Sequence, residues 1–171
     1  FSEAFIVFTS NLGIYVTDPS GGRIPNVTPE ETFESVKTKV RSEIEKHFKQ
    51  VLNRPEILNR IGENIIVFDF IRPQVANEIF DQMVDALLTD VRSLGYDVSL
   101  AKSASDTLRG LCLADLSNGG RGIRNQVETH LVNPLSRALF DGGAQAGCHY
   151  LITEISAGSS TTIRLESEAS T

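Results

Sequence analysis

Two continuous apolar runs, Ala4-Phe5-Ile6-Val7-Phe8 and Ile65-Ile66-Val67-Phe68-Asp69-Phe70, constrain the first part of this chain most strongly. Apolar residues at consecutive positions, many of them β-branched or aromatic, predict strands buried on both faces in a parallel sheet. Between the runs, residues 12–28 carry Asp-Pro and Ser-Gly-Gly and read as a long loop. Thr28-Pro29-Glu30-Glu31 then offers an N-cap, a proline at the first helical position and a reciprocal glutamate. Phe33, Val36, Val40, Ile44, Phe48 and Val51 follow at helical spacing, predicting a helix to about residue 52. Pro55 interrupts that pattern and restarts a short turn over 56–61.

The character changes at Ile71-Arg72-Pro73. Val75, Ile79, Met83, Leu87, Val91 and Leu94 mark an amphipathic helix that Gly95 stops. A short strand (97–101), a helix over about 103–116, a glycine break at 118–120 and a helix from Arg121 to Phe140 come next. Pro134 should kink that last helix, because it removes a backbone donor and crowds the preceding turn. Cys148 to Ile155 alternates like a strand, and Thr162-Ile163-Arg164-Leu165 can return as its hairpin partner. The final Ser/Thr-rich residues are expected to be disordered. The predicted layout is α/β over residues 1–71, a smaller α+β unit over 72–156, and a tail over 157–171.

Composition excludes several function classes. With 16 Lys+Arg against 22 Asp+Glu the net charge is −6, which argues against duplex nucleic acid or an anionic membrane as the main partner. Cys112 and Cys148 are far apart and form no C-x-x-C pair, so free thiols are expected rather than a disulfide or a metal site. His47, His130 and His149 show no metal-hydrolase spacing. No apolar run is long enough to span a bilayer, and the start carries no basic-then-apolar signal. A cytoplasmic protein is the expectation.

Three short segments carry chemistry. Asn11 follows the first apolar run, where open parallel sheets place ligand-binding residues; an Asn there can hold a γ-phosphate oxygen or a water, or simply cap the turn into Leu12-Gly13. Arg60 ends a turn that Ile57, Leu58 and Ile61 can anchor, leaving a guanidinium to stabilise a phosphoryl group. The alternative is a surface ion pair with Glu56 or Glu63. Gly119-Gly120-Arg121 stands at a predicted helix N-terminus, where amide groups and the helix dipole favour a phosphate. It can equally be a turn that needs a positive φ. The chain contains no G-x-x-x-x-G-K-[ST] loop and no apolar strand ending in paired acids. It therefore reads as a fragment, beginning inside a strand at Phe1.

In their order, these segments resemble the C-terminal half of the second ATPase module of Clp-type AAA+ chaperones and unfoldases, from Phe5 to about Ile155. Ile6-Val7-Phe8-Thr9-Ser10-Asn11-Leu12-Gly13 is similar to the family's sensor-1 strand and turn. Arg54-Pro55-Glu56-Ile57-Leu58-Asn59-Arg60-Ile61 is similar to its arginine-finger box, and Ile65-Ile66-Val67-Phe68 to the strand that follows. Gly119-Gly120-Arg121, Arg124-Asn125-Gln126-Val127-Glu128 and Asn133-Pro134-Leu135 resemble the sensor-2 helix and its proline. The departures are Gly62 where the family usually has Asp, Gly120 in place of the usual Ala, and Asn118 in place of an aromatic residue.

The resemblance implies the last strands and helix of a large nucleotide-binding subdomain (1–71), followed by a small lid subdomain (72–156) with a hinge at 71–73. It assigns catalytic roles to Arg60, as a finger acting on the neighbouring subunit, and to Asn11, as sensor 1. Nucleotide contact falls to Arg121, as sensor 2, with Gly119 and Gly120. By the same resemblance the intact protein would use ATP or ADP with magnesium, assemble into a ring, with a hexamer as the expected form, and act on a protein client. A protease partner is left open, and tight nucleotide binding by this stretch alone is not expected. The competing reading is a non-catalytic scaffold that keeps the fold.

Overall fold

A computed structural model describes residues 3, 4 and 6–168 of the chain. It is a mixed α/β structure of two compact units, divided between Phe70 and Ile71.

In the first unit, residues 6–14 are irregular and lead into a hairpin, β1 (Tyr15–Thr17) and β2 (Arg23–Pro25). Val16 lies opposite Ile24 in the antiparallel register. The Asp-Pro-Ser-Gly-Gly sequence expected to form loop instead makes the hairpin tip. Asp18 Oδ1 accepts hydrogen bonds from the amides of Ser20 (2.9 Å) and Gly22 (2.7 Å), and Gly21 adopts φ +88°. The Ser20 hydroxyl also donates to Asp18 Oδ1 at 2.7 Å, and that bond foremost, then the Gly22 amide, lowers the Asp18 carboxyl below its ordinary pKa.

Helix α1 (Phe33–Lys46) starts later than Thr28. Thr28 closes a turn by exchanging bonds with Glu31, and Thr32 becomes the N-cap, its hydroxyl accepting from the Ser35 amide. A π-turn (His47–Val51) ends the helix near the expected place, and α2 (Pro55–Ile61) follows with its proline in the first turn. Val27, Val36 and Val40 form the small core, with Ile14, Ile44, Val67 and Phe70 packed against it.

Neither apolar run is a strand. Residues 6–10 and 64–70 have no regular structure, and Phe5 lies outside the described residues. Phe8 is 90% exposed and Phe68 82%, where burial was expected. A strand requires a neighbour for its main-chain groups. Among the described residues no other strand pairs with either run, so their β propensity is not expressed.

In the second unit, α3 (Pro73–Ser93) ends as predicted at Gly95, which has φ +95° and donates to Arg92 O while Tyr96 donates to Val91 O. The centre of its buried stripe is Ala76, Phe80 and Val84 rather than Val75, Ile79 and Met83. Val75 and Leu94 are exposed, and Ile79, Met83, Leu87 and Val91 flank the core. Both sets repeat at helical spacing, and the faces packed against α3 choose between them.

Strand β3 (Asp97–Leu100) leads into α4 (Lys102–Cys112) and α5 (Gly119–Val127). A π-turn (Glu128–Val132) then joins α6 (Asn133–Asp141). Pro134 falls in the first turn of α6, directly after that π-turn, where the Asn133 amide reaches back to Glu128 O. The wider turn absorbs the missing donor.

Strands β4 (His149–Ala157) and β5 (Thr161–Glu168) form the hairpin expected at the end of the chain. The sheet order is β3-β4-β5, with β3 parallel and β5 antiparallel to β4. The core lies between this sheet and the helices, centred on Phe80, Leu108, Ile123, Leu131, Leu135 and Ile152. Each such side chain contributes about 1.5–3 kcal/mol by leaving water. Residues 169–171, expected to be disordered, lie outside the described residues.

Candidate functional site

Asn11 is exposed, and its carbonyl accepts the Ile14 amide at 3.3 Å to close a turn. The side chain that caps this turn belongs to Ser10, whose Oγ accepts from the Leu12 amide at 3.0 Å. The Asn11 amide group therefore makes no hydrogen bond among the described residues. What seats the turn is Gly13. It has φ +87°, and a Cβ there would lie 2.8 Å from Val40 O and 3.2 Å from Val40 Cα, so only glycine lets the turn meet α1.

Arg60 lies in the last turn of α2 and is exposed. The two acids that could neutralise it are engaged elsewhere. Glu56 pairs with Arg54 at 3.5 Å, and Glu63 with Arg41 at 3.3 Å. Arg60 has no ion pair among the described residues. The expected anchors are loose, however: Ile57 is 39% exposed, Leu58 and Ile61 are half-buried, and α2 buries none of its residues fully.

In the second unit, α5 starts two residues before the predicted position, with Gly119 and Gly120 as its first residues. Gly119 has φ +58° and donates to Leu116 O at 2.9 Å, so this glycine answers a backbone requirement. Arg121 follows in the first turn, exposed and without an ion pair among the described residues. That turn contains no acid, and Asn118 provides no side-chain cap. A cation at a helix N-terminus opposes the helix dipole by about 0.3–1 kcal/mol, so the arrangement suits an anionic group and lacks one of its own.

Asn11 and Arg60 thus belong to the first unit, and Arg121, Gly119 and Gly120 to the second. No hydrogen bond joins Asn11 to Arg60 among the described residues. A concavity of about 360 Å³ between α3 and α6, lined by apolar residues such as Leu87, Leu135 and Phe140, contains none of these side chains. No group of three or more His, Cys, Asp or Glu among the described residues is placed to hold a metal ion, and no described helix is long and apolar enough to cross a membrane.

Sequence reasoning missed Arg41. This α1 residue donates through Nη2 to the Ile65 carbonyl at 3.0 Å and through Nη1 to Glu63. Nothing in the local pattern distinguishes it from other charged residues on the helix.

The chain's curated relatives define its class: they are Clp-type AAA+ ATP-binding proteins and chaperones. It is 29% identical over 149 residues to a ClpA-homologue ATP-binding subunit of the ATP-dependent Clp protease from Porphyra purpurea, covering 86% of this chain and 18% of that protein. It is 28% identical over 153 residues to the negative regulator of genetic competence ClpC/MecB of Bacillus subtilis, covering 89% and 18%. With the chaperone protein ClpB of Propionibacterium freudenreichii it shares 30% identity over 145 residues, covering 83% and 14%. The chain spans about a fifth or less of the length of these curated relatives. No family model matches it.

Proposed function

We propose that this chain is the nucleotide-sensing part of a Clp-type AAA+ ATPase that remodels or unfolds protein clients. In this reading residues 1–71 complete a large nucleotide-binding subdomain and residues 72–156 form its lid. Arg60 acts on the γ-phosphate held by a neighbouring subunit, Asn11 orients a phosphate oxygen or water, and Arg121 contacts the nucleotide of its own subunit at the start of α5. ATP or ADP with magnesium is the nucleotide, and a hexameric ring is the assembly. The phosphate-gripping loop and the acids that hold magnesium come from outside these residues.

The observation that carries the reading is the pairing state of the two arginines. Arg60 and Arg121 are both exposed and lack an ion pair among the described residues, and they occupy the two motif positions of a chain whose relatives are Clp proteins. An anion fits Arg121 on electrostatic grounds, since its turn holds no acid.

The test is Arg60→Ala in the full-length protein. Turnover should fall by about 10³-fold while ATP affinity changes little, because a finger stabilises charge that develops only in the transition state. Arg60→Lys should recover little, since an ammonium lacks the planar fork. Unchanged turnover would remove the finger role from Arg60, and a full-length protein without ATPase activity would establish the scaffold reading instead.

A further inference from the structure

One turn of α1 receives both chain segments that carry the candidate residues of the first unit. Gly13 is seated on Val40, with the backbone so close that a Cβ would fall 2.8 Å from the Val40 carbonyl oxygen. The next residue, Arg41, reaches the other segment. Its Nη2 donates to Ile65 O at 3.0 Å and its Nη1 to Glu63 Oε2 at 3.3 Å, just beyond the end of α2.

These two bonds differ in weight. The Glu63 side chain is 94% exposed, so water screens that pair and it contributes little. The Arg41 side chain is only 34% exposed and its Nη2 bond to the Ile65 carbonyl is partly buried, so that bond is the firmer tie. The buried Nε has no hydrogen-bond partner among the described residues and offsets part of the gain. The tie matters because α2 buries none of its residues fully and starts just after Asn53, at φ +51°. A helix with so little core contact takes its position from its ends.

We propose that Arg41 is a positioning residue for Arg60: by clamping the segment that leaves α2 to the α1 turn beneath Gly13, it sets where the Arg60 guanidinium stands relative to Asn11. This rests on the reading of Arg60 as a finger. Arg41 itself touches no nucleotide and acts only through α2. Misplacing a group that acts on a transition state by about 1 Å can cost up to 10²-fold in rate while leaving ground-state binding intact.

The test compares Arg41→Met, Arg60→Ala and the double variant in the full-length protein with ATP and magnesium, measuring turnover, ATP dissociation constant and melting temperature. Arg41→Met keeps the apolar stem and removes both bonds. It should lower turnover about tenfold with ATP affinity within about twofold, and the double variant should be no slower than Arg60→Ala alone. Arg41→Lys should recover part of the loss, since one donor can still reach the carbonyl. If Arg41→Met fails to fold, as judged by circular dichroism, Arg41→Lys with and without Arg60→Ala makes the same comparison with a smaller expected fall. An unchanged rate in the single variant, or an equal fall in the Arg60→Ala background, overturns the inference and leaves the finger reading standing. Normal turnover in Arg60→Ala removes both.

Discussion

His130 Nδ1 and Thr161 Oγ1 lie 2.6 Å apart and join the π-turn after α5 to the first residue of β5. Thr161 is buried at 9% exposure, so its hydroxyl exchanges water for this one partner. Thr161→Val keeps the shape and leaves the ring nitrogen without its partner, which should cost about 1–3 kcal/mol. Thr161→Ser should cost less. Urea unfolding of the two variants checks the order; equal midpoints would show that the bond contributes nothing.

Gly13→Ala should damage the first unit. The added methyl meets backbone atoms of Val40, which cannot swing aside, and φ +87° is strained for alanine. A loss of about 1–3 kcal/mol is expected, read as weaker amide-exchange protection in α1. Unchanged protection would mean that the turn lifts off the helix at no cost.

Cys112 is buried, and burial raises its thiol from the ordinary 9.0 to about 12. The folded state therefore favours the neutral thiol. This stability is fully present below pH 9.0 and is lost as pH rises toward 12, with a slope approaching about 1.4 kcal/mol per pH unit. Iodoacetamide at pH 8 should label the half-buried Cys148 and spare Cys112 until the chain unfolds. Labelling of both at similar rates would contradict the burial.

Arg121→Ala in the full-length protein should weaken nucleotide binding or its coupling to lid movement. It should also leave the fold slightly more stable, because it removes a cation from the N-terminal turn of α5. Lost ATP affinity together with an unchanged or higher melting temperature is the outcome that separates a ligand contact from a structural arginine. Wild-type affinity and hydrolysis would reduce Arg121 to a helix-start residue.

Much of the secondary structure was legible because its signals are local. The helix ending at Gly95, the short helix after Pro55 and the β4–β5 hairpin follow from spacing and turn residues alone. Helix starts were less legible where two caps competed, as Thr28 and Thr32 did. The β1–β2 hairpin hid behind the loop chemistry of Asp18 to Gly22, which serves a hairpin tip as well as a loop. For the candidate site, the motif residues were legible and their surroundings were not. Glu56 and Glu63 both stand within four residues of Arg60 in sequence, and only the fold shows them engaged by Arg54 and Arg41.

The sequence by itself determined the helix that ends at Gly95 and the identity of the candidate arginines, because each rests on the spacing or chemistry of a few adjacent residues. It placed the later helices without their ends, α4 stopping at Cys112 where about 116 was expected and the span 121–140 dividing at a π-turn. Tertiary structure decided what depends on distant partners. Residues 6–8 and 65–70 have the composition of strands yet lack strand neighbours among the described residues, so they stay irregular and leave Phe8 and Phe68 exposed. The buried face of α3 centres on Phe80 because of what packs against it. Arg41 became a clamp because folding brings Ile65 within 3.0 Å of it. Local propensity offers the backbone a choice, and desolvation and hydrogen bonding between remote segments select the outcome.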